Sequence, residues 1–99
     1  MLTRIVRMTF RPDEMAAFDA IFKASKDQIQ AFPGCQHVDL LYDLDVPNVR
    51  VTYSLWDSPE ALEAYRNSDF FRTTWIKTKV LFSEKPMAFS LEKLTDLTL

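Results

Sequence analysis

The apolar residues of this 99-residue chain keep changing their period, and the order of those changes leaves few folds open. Residues 2–10 alternate, with Val6, Met8 and Phe10 on one side and Ile5, Arg7 and Thr9 on the other, which is the repeat of a strand. From Pro12 onward the spacing becomes three and four. Met15, Phe18, Phe22, Ser25, Ile29 and Phe32 form one helical stripe, opened by Pro12-Asp13 and stopped by Pro33-Gly34. Alternation returns from Cys35 to Asp43, where Val38, Leu40 and Tyr42 oppose His37, Asp39 and Leu41. After the turn-forming Asp45-Val46-Pro47-Asn48, it returns again: Val49, Val51, Tyr53 and Leu55 oppose Arg50, Thr52, Ser54 and Trp56. Ser58-Pro59-Glu60 starts a second helix with a capping hydroxyl, a first-turn proline and an early carboxylate. That helix carries Leu62 and Tyr65, bends near Asn67-Ser68-Asp69, and resumes with Phe71, Trp75 and Phe82. Beyond Pro86, Met87, Phe89 and Leu91 alternate with Ala88 and Ser90 as a last strand.

Strand, helix, strand, strand, helix, strand, joined by right-handed crossovers, predicts one α+β domain of ferredoxin-like type over residues 1–99. Its four-stranded antiparallel sheet carries both helices on one face. The stronger apolar face of each strand is expected beneath the helices. The other face then mixes Ile5, Leu41, Trp56 and Ala88 with Arg7, Asp39, Arg50, Thr52 and Ser54, too apolar a set to be left to water. Two copies are therefore expected to stack as a two-fold homodimer, with Ile5, Arg7, Asp39, Leu41, Arg50 and Trp56 in the interface.

Charge and composition narrow the function. The net charge is −2 and the twelve Lys and Arg are scattered, so nucleic acid is not an expected partner. One cysteine, Cys35, allows neither an internal disulfide nor a Cys-based metal site, and the lone His37 makes no zinc site by itself. With a single glycine there is no phosphate-binding glycine loop. No apolar run approaches a membrane span, and MLTRIVRMTF lacks the apolar core of a secretion signal; the expected location is the cytoplasm.

Eight Phe, three Tyr and two Trp are a large aromatic content for one thin core, so either the interior is unusually aromatic or some of this surface serves a partner or a ligand. Met8, Phe22, Tyr53, Tyr65, Phe71 and Trp75 are expected to converge between sheet and helices. Plain core packing explains them; so does a pocket for a flat apolar compound, in which two phenols and an indole keep polar tips inside an apolar wall. Tyr65 is the candidate for substrate contact or proton transfer, the latter requiring a lowered pKa. Arg66 and Lys79 either orient an anionic ligand or are solvated, His37 belongs to the dimer-facing side, and Cys35 fills a small buried space.

Phe32-Pro33-Gly34-Cys35, Tyr53-Ser54-Leu55-Trp56-Asp57-Ser58, Ala61-Leu62 and Tyr65-Arg66-Asn67-Ser68, continued by Phe71, Trp75, Lys79 and Phe82, carry a resemblance to a known family. Over about residues 2–91 the chain resembles the antibiotic biosynthesis monooxygenases, whose members are dimeric ferredoxin-like barrels. The resemblance implies oxidation of an aromatic or quinone-type compound by molecular oxygen, often with neither flavin nor metal, so no cofactor is expected. It equally admits a non-catalytic dimeric ligand-binding or accessory protein, or an isomerase or lyase on the same barrel. Relatives that degrade haem use an Asn, a Trp and a His where this chain has Val6, Tyr65 and Trp75, so haem degradation is not expected. Quinol-oxidising relatives carry histidines at places that here hold Ala61, Tyr65 and Phe70.

Overall fold

The computed structural model describes residues 1–96 and contains the elements in the expected order. They are β1 (Leu2–Thr9), α1 (Met15–Gln30), β2 (Cys35–Tyr42), β3 (Val49–Trp56), α2 (Pro59–Arg66), α3 (Asp69–Lys79) and β4 (Met87–Glu92). The strands form one antiparallel sheet in the order β2-β3-β1-β4. The core lies between one face of this sheet and the helices, where Leu2, Met8, Phe10, Phe18, Phe22, Ile29, Val38, Trp56 and Leu62 are buried together.

Local chemistry explains the boundaries. Asp43 Oδ1 accepts the amides of Asp45 (2.8 Å) and Val46 (3.1 Å), which closes the turn between β2 and β3. The Ser58 hydroxyl accepts the Ala61 amide at 3.1 Å and caps α2. Ser68 does the same for the Phe71 amide at 3.1 Å, so the expected bend is a break between two capped helices. Helix α3 also stops at Lys79 rather than running through Phe82. Phe82 pairs across an isolated bridge with Phe10, their rings 5.2 Å apart. Gly34, at φ +89°, turns the chain from α1 into β2 while its carbonyl accepts the Asp57 amide at 2.8 Å.

The facing of β3 and β4 is the reverse of that expected. Register settles it: Val6 on β1 lies opposite Thr52 and Ala88, whereas Ile5 lies opposite Tyr53 and Phe89. Arg50, Thr52, Ser54 and Trp56 therefore face the helices, and Val51, Tyr53, Leu55, Met87, Phe89 and Leu91 lie on the open face with Ile5, Arg7, His37, Asp39 and Leu41. Trp56, expected in an interface, is 1% exposed and donates its indole N–H to Ser54 Oγ at 3.0 Å. Arg50, expected beside it, points inward and clasps Asp19 on α1. Tyr53, expected in the pocket, stands on the open face near His37. In β3 and β4 the larger apolar side chains lie on the open face, so hydrophobic alternation points the wrong side of these two strands inward.

Candidate functional site: an aromatic cavity on the inner sheet face

A run of small side chains hollows out the inner face. Two adjacent rows cross the sheet in register, Val38–Ser54–Arg4–Ser90 and Leu40–Thr52–Val6–Ala88. Serine, threonine and alanine supply much of these rows, while the next row on one side holds Trp56 and Leu2 and on the other Arg50 and Met8. The helices bridge the depression without filling it. The result is a cavity of about 280 Å³, with Phe18, Phe22 and Ile29 of α1, Leu62 and Tyr65 of α2, and Phe71 and Trp75 of α3 on its walls. A volume of this order suits a small ligand and far exceeds the voids of ordinary packing.

Five of the six residues expected here line the cavity: Met8, Phe22, Tyr65, Phe71 and Trp75; Tyr53 does not. The aromatic walls are ordered by one another. Phe71 and Trp75 stack nearly parallel, 5.8 Å apart at 11°. Tyr65 lies on the Trp56 ring at 4.9 Å and meets Phe71 edge-on at 5.1 Å. Such geometry stiffens the wall and presents flat π surfaces to the interior.

The surroundings of Tyr65 disfavour it as a base near neutral pH. Burial, reinforced by the neighbouring Cys35, pushes its phenol well above the ordinary tyrosine range. It is a neutral hydroxyl, able to donate or accept a hydrogen bond. Burial likewise raises the Cys35 thiol, against a smaller opposing effect of the His37 backbone 3.6 Å away, and so disfavours it as a nucleophile. Among the cavity-lining residues there is no aspartate, glutamate, histidine or lysine. His37 is on the open face, bound to Asp39 at 2.6 Å, and Lys79 lies outside the lining.

The residues with polar side chains in the lining include Thr52, Ser54, Tyr65, Arg4 and Arg66. Arg4 and Trp56 escaped the sequence-based set. Arg4 shares the parity of Val6 and Met8, so its inward facing was visible in the alternation of the first strand; Trp56 went with the inverted strand. Arg4 donates to Ser90 Oγ at 2.8 Å. Burial, and then the charge of Arg66, lower its pKa, against a smaller opposing effect of Glu63.

Comparison with known proteins agrees with this architecture. The family described as antibiotic biosynthesis monooxygenase has a model that matches residues 1–75. Rv0793 of Mycobacterium tuberculosis is similar at 25% identity, with a TM-score of 0.86 and 94% of each chain covered. PA3566 of Pseudomonas aeruginosa, 24% identical, superposes with a TM-score of 0.83 over 94% of this chain and 93% of its own. A structure described as an antibiotic biosynthesis monooxygenase is 16% identical, with a TM-score of 0.89 over 95% of this chain and 99% of its own. Likeness at the two lower identities speaks to the fold alone. No curated protein matches the chain.

Proposed function

The chain belongs to the antibiotic biosynthesis monooxygenase family, and from that membership we propose that its cavity binds a small aromatic or quinone-type compound and promotes its oxidation by molecular oxygen. The observation that supports this most is the cavity itself, about 280 Å³ walled by Phe22, Tyr65, Phe71 and Trp75. In an anthrone-like substrate the deprotonated ring gives one electron to dioxygen, and the two radicals combine as a peroxide. Loss of water then leaves a carbonyl where a CH₂ stood. One oxygen atom enters the product, the other leaves as water, and both hydrogens of that water come from the substrate. The protein's part is to bind the ring, exclude bulk water and stabilise the anion, with Tyr65 as a hydrogen-bonding phenol.

Oxygen uptake with a panel of hydroquinones and anthrones tests the proposal, comparing wild type with Tyr65→Phe and Trp75→Ala. Turnover that falls in Trp75→Ala supports it. The lack of a carboxylate or imidazole in the lining favours a second reading, a binding or accessory protein without chemistry. Tight binding with no oxygen uptake would establish that reading instead.

The assembly belongs to the same proposal. The open sheet face carries Leu41, Met87, Phe89 and Leu91, each between 44% and 51% exposed, with Ile5 and Tyr53 between them. A contiguous apolar face of this kind calls for a second copy, with Arg7 and Asp39 as the polar contacts. Among the described residues no helix is long and apolar enough to cross a membrane.

A further inference from the structure

Arg4 is a partly buried charge on an otherwise apolar strand face. Its strand neighbours on the inner face are Leu2, Val6 and Met8, and an aliphatic side chain there would extend the core without desolvating a charge. Its recorded partner is the Ser90 hydroxyl, a neutral acceptor; among the described residues no carboxylate lies within ion-pair distance of it. A second guanidinium, Arg66, lines the same cavity, and its tie to Glu63 is long, 3.5 Å, on a half-exposed side chain. Among the described residues the carboxylate that acts on both cations is Glu63, so two positive charges face one negative charge at this end of the cavity.

The deeper lining is apolar. Of the lining residues, Met8, Phe18, Phe22, Ile29 and Val38 are buried, whereas Arg66, Pro86 and Ala88 are at least partly exposed. Cation at the rim and hydrocarbon in the depth define an amphipathic ligand with a fixed direction. From this geometry we infer that the cavity takes its ligand as an anion, a flat aromatic bearing a carboxylate or phenolate oxygen that lies between Arg4 and Arg66 while its ring enters the Phe22–Phe71–Trp75 wall. The inference rests on the proposed binding of an aromatic compound and names the chemical class of that compound. It also accounts for a lining that holds no base. A guanidinium beside the reacting oxygen lowers the pKa of a bound phenol, so the reactive anion forms by losing its proton to solvent rather than to a side chain.

Both tryptophans of the chain line the cavity, so intrinsic fluorescence reports occupancy directly. The probes are 2-naphthoate and its neutral isostere 2-naphthylmethanol, titrated at pH 7, with a chromogenic nitrophenol whose two protonation states absorb at different wavelengths. The acid is expected to bind about 10–100-fold more tightly than the alcohol, the usual worth of a hydrogen bond to a charged group. Arg4→Gln should abolish that preference and leave the alcohol's affinity unchanged, and the bound nitrophenol's pKa should fall in wild type but not in the variant. Arg66→Gln, on an exposed helical position, should reduce the preference several-fold and guards against misfolding of the strand variant. Preference for naphthoate without a nitrophenol shift would identify a carboxylate ligand; the shift without the preference would identify a phenolate. Equal binding of acid and alcohol, unaltered in both variants, overturns the inference while the aromatic pocket stands. If neither naphthalene binds, the proposed pocket falls and the inference with it.

Discussion

Arg50 clasps Asp19 with two nearly equal hydrogen bonds, Nε to Oδ1 at 3.0 Å and Nη2 to Oδ2 at 3.1 Å, and so fastens β3 to α1 across the end of the core. The same guanidinium donates to the carbonyls of Pro47 and Val49, each at 3.2 Å, leaving its side chain 17% exposed. Asp19→Asn should therefore lower stability by about 1 kcal/mol, the bidentate pair being discounted for the exposure of the aspartate. Urea unfolding measures this. Unchanged stability together with a loss of dimer would put Arg50 in an interface after all.

Trp56 supplies a larger effect. Its ring is buried against Tyr65 and Phe32, and its indole N–H has Ser54 as acceptor. Trp56→Ala should cost about 3–5 kcal/mol, whereas Ser54→Ala, which leaves the buried N–H without that acceptor, should cost about 1–3 kcal/mol. Both are expected to leave the association state intact. A Trp56→Ala variant of native stability would refute the inward facing of β3.

At Gly34 a methyl group has nowhere to go. A Cβ there would stand 2.5 Å from Ala61 Cβ, on a backbone already at φ +89°. Gly34→Ala should destabilise by about 2 kcal/mol or more, part from the left-handed conformation and part from the contact. Adding Ala61→Gly should recover some of that loss despite the poorer helix former. A double-mutant cycle with no coupling would mean that the two elements do not meet in this way.

Tyr65 makes an alkaline prediction. Its folded pKa is raised by burial above the ordinary value of 10.0, so at high pH the unfolded chain loses the proton first. The stability it contributes is complete below about pH 10 and declines as pH rises beyond that. Tyr65→Phe should flatten this decline in urea unfolding between pH 9 and 11. An equally steep decline in the variant would assign the effect to another group.

The open face should be the seam between subunits. Leaving a charge unpaired in an apolar contact costs on the order of 3 kcal/mol, so Phe89→Asp should weaken self-association by about 100-fold or more. Sedimentation at micromolar concentration decides it. A wild-type protein that sediments as a monomer at that concentration would remove the dimer from the proposal.

How far the primary structure could be followed differs from element to element. The Met15–Phe32 stripe and the Ser58 cap are local patterns, and each was readable because the residues that decide it are neighbours in the chain, whereas Ser68 reads only as a bend and caps a separate helix. The strands of β1 and β2 were faced correctly for a similar reason, since one side of each is plainly richer in large apolar groups. In β3 the richer side, Val51, Tyr53 and Leu55, faces outward, and the poorer one became the cavity floor. The cavity requires small and polar side chains there, and a partner face requires large apolar ones, which inverts the usual signal. Arg4 shares the inward parity of Val6 and Met8, but hydrophobicity does not single out a charged residue as part of a cavity wall.

By itself, then, the order of residues determined the βαββαβ topology, the start of α2, most of the aromatic set and the family, because each depends on short-range periodicity or on contiguous motifs. Only the tertiary structure decided which side of β3 and β4 turns inward, that Trp56 is core, and that Arg4 and Arg66 share a rim. Those relations come from register across the sheet and from the meeting of side chains more than sixty positions apart. Hydrogen bonds between strands set that register, and where the larger apolar groups serve the open face, as in β3 and β4, hydrophobicity favours the wrong side.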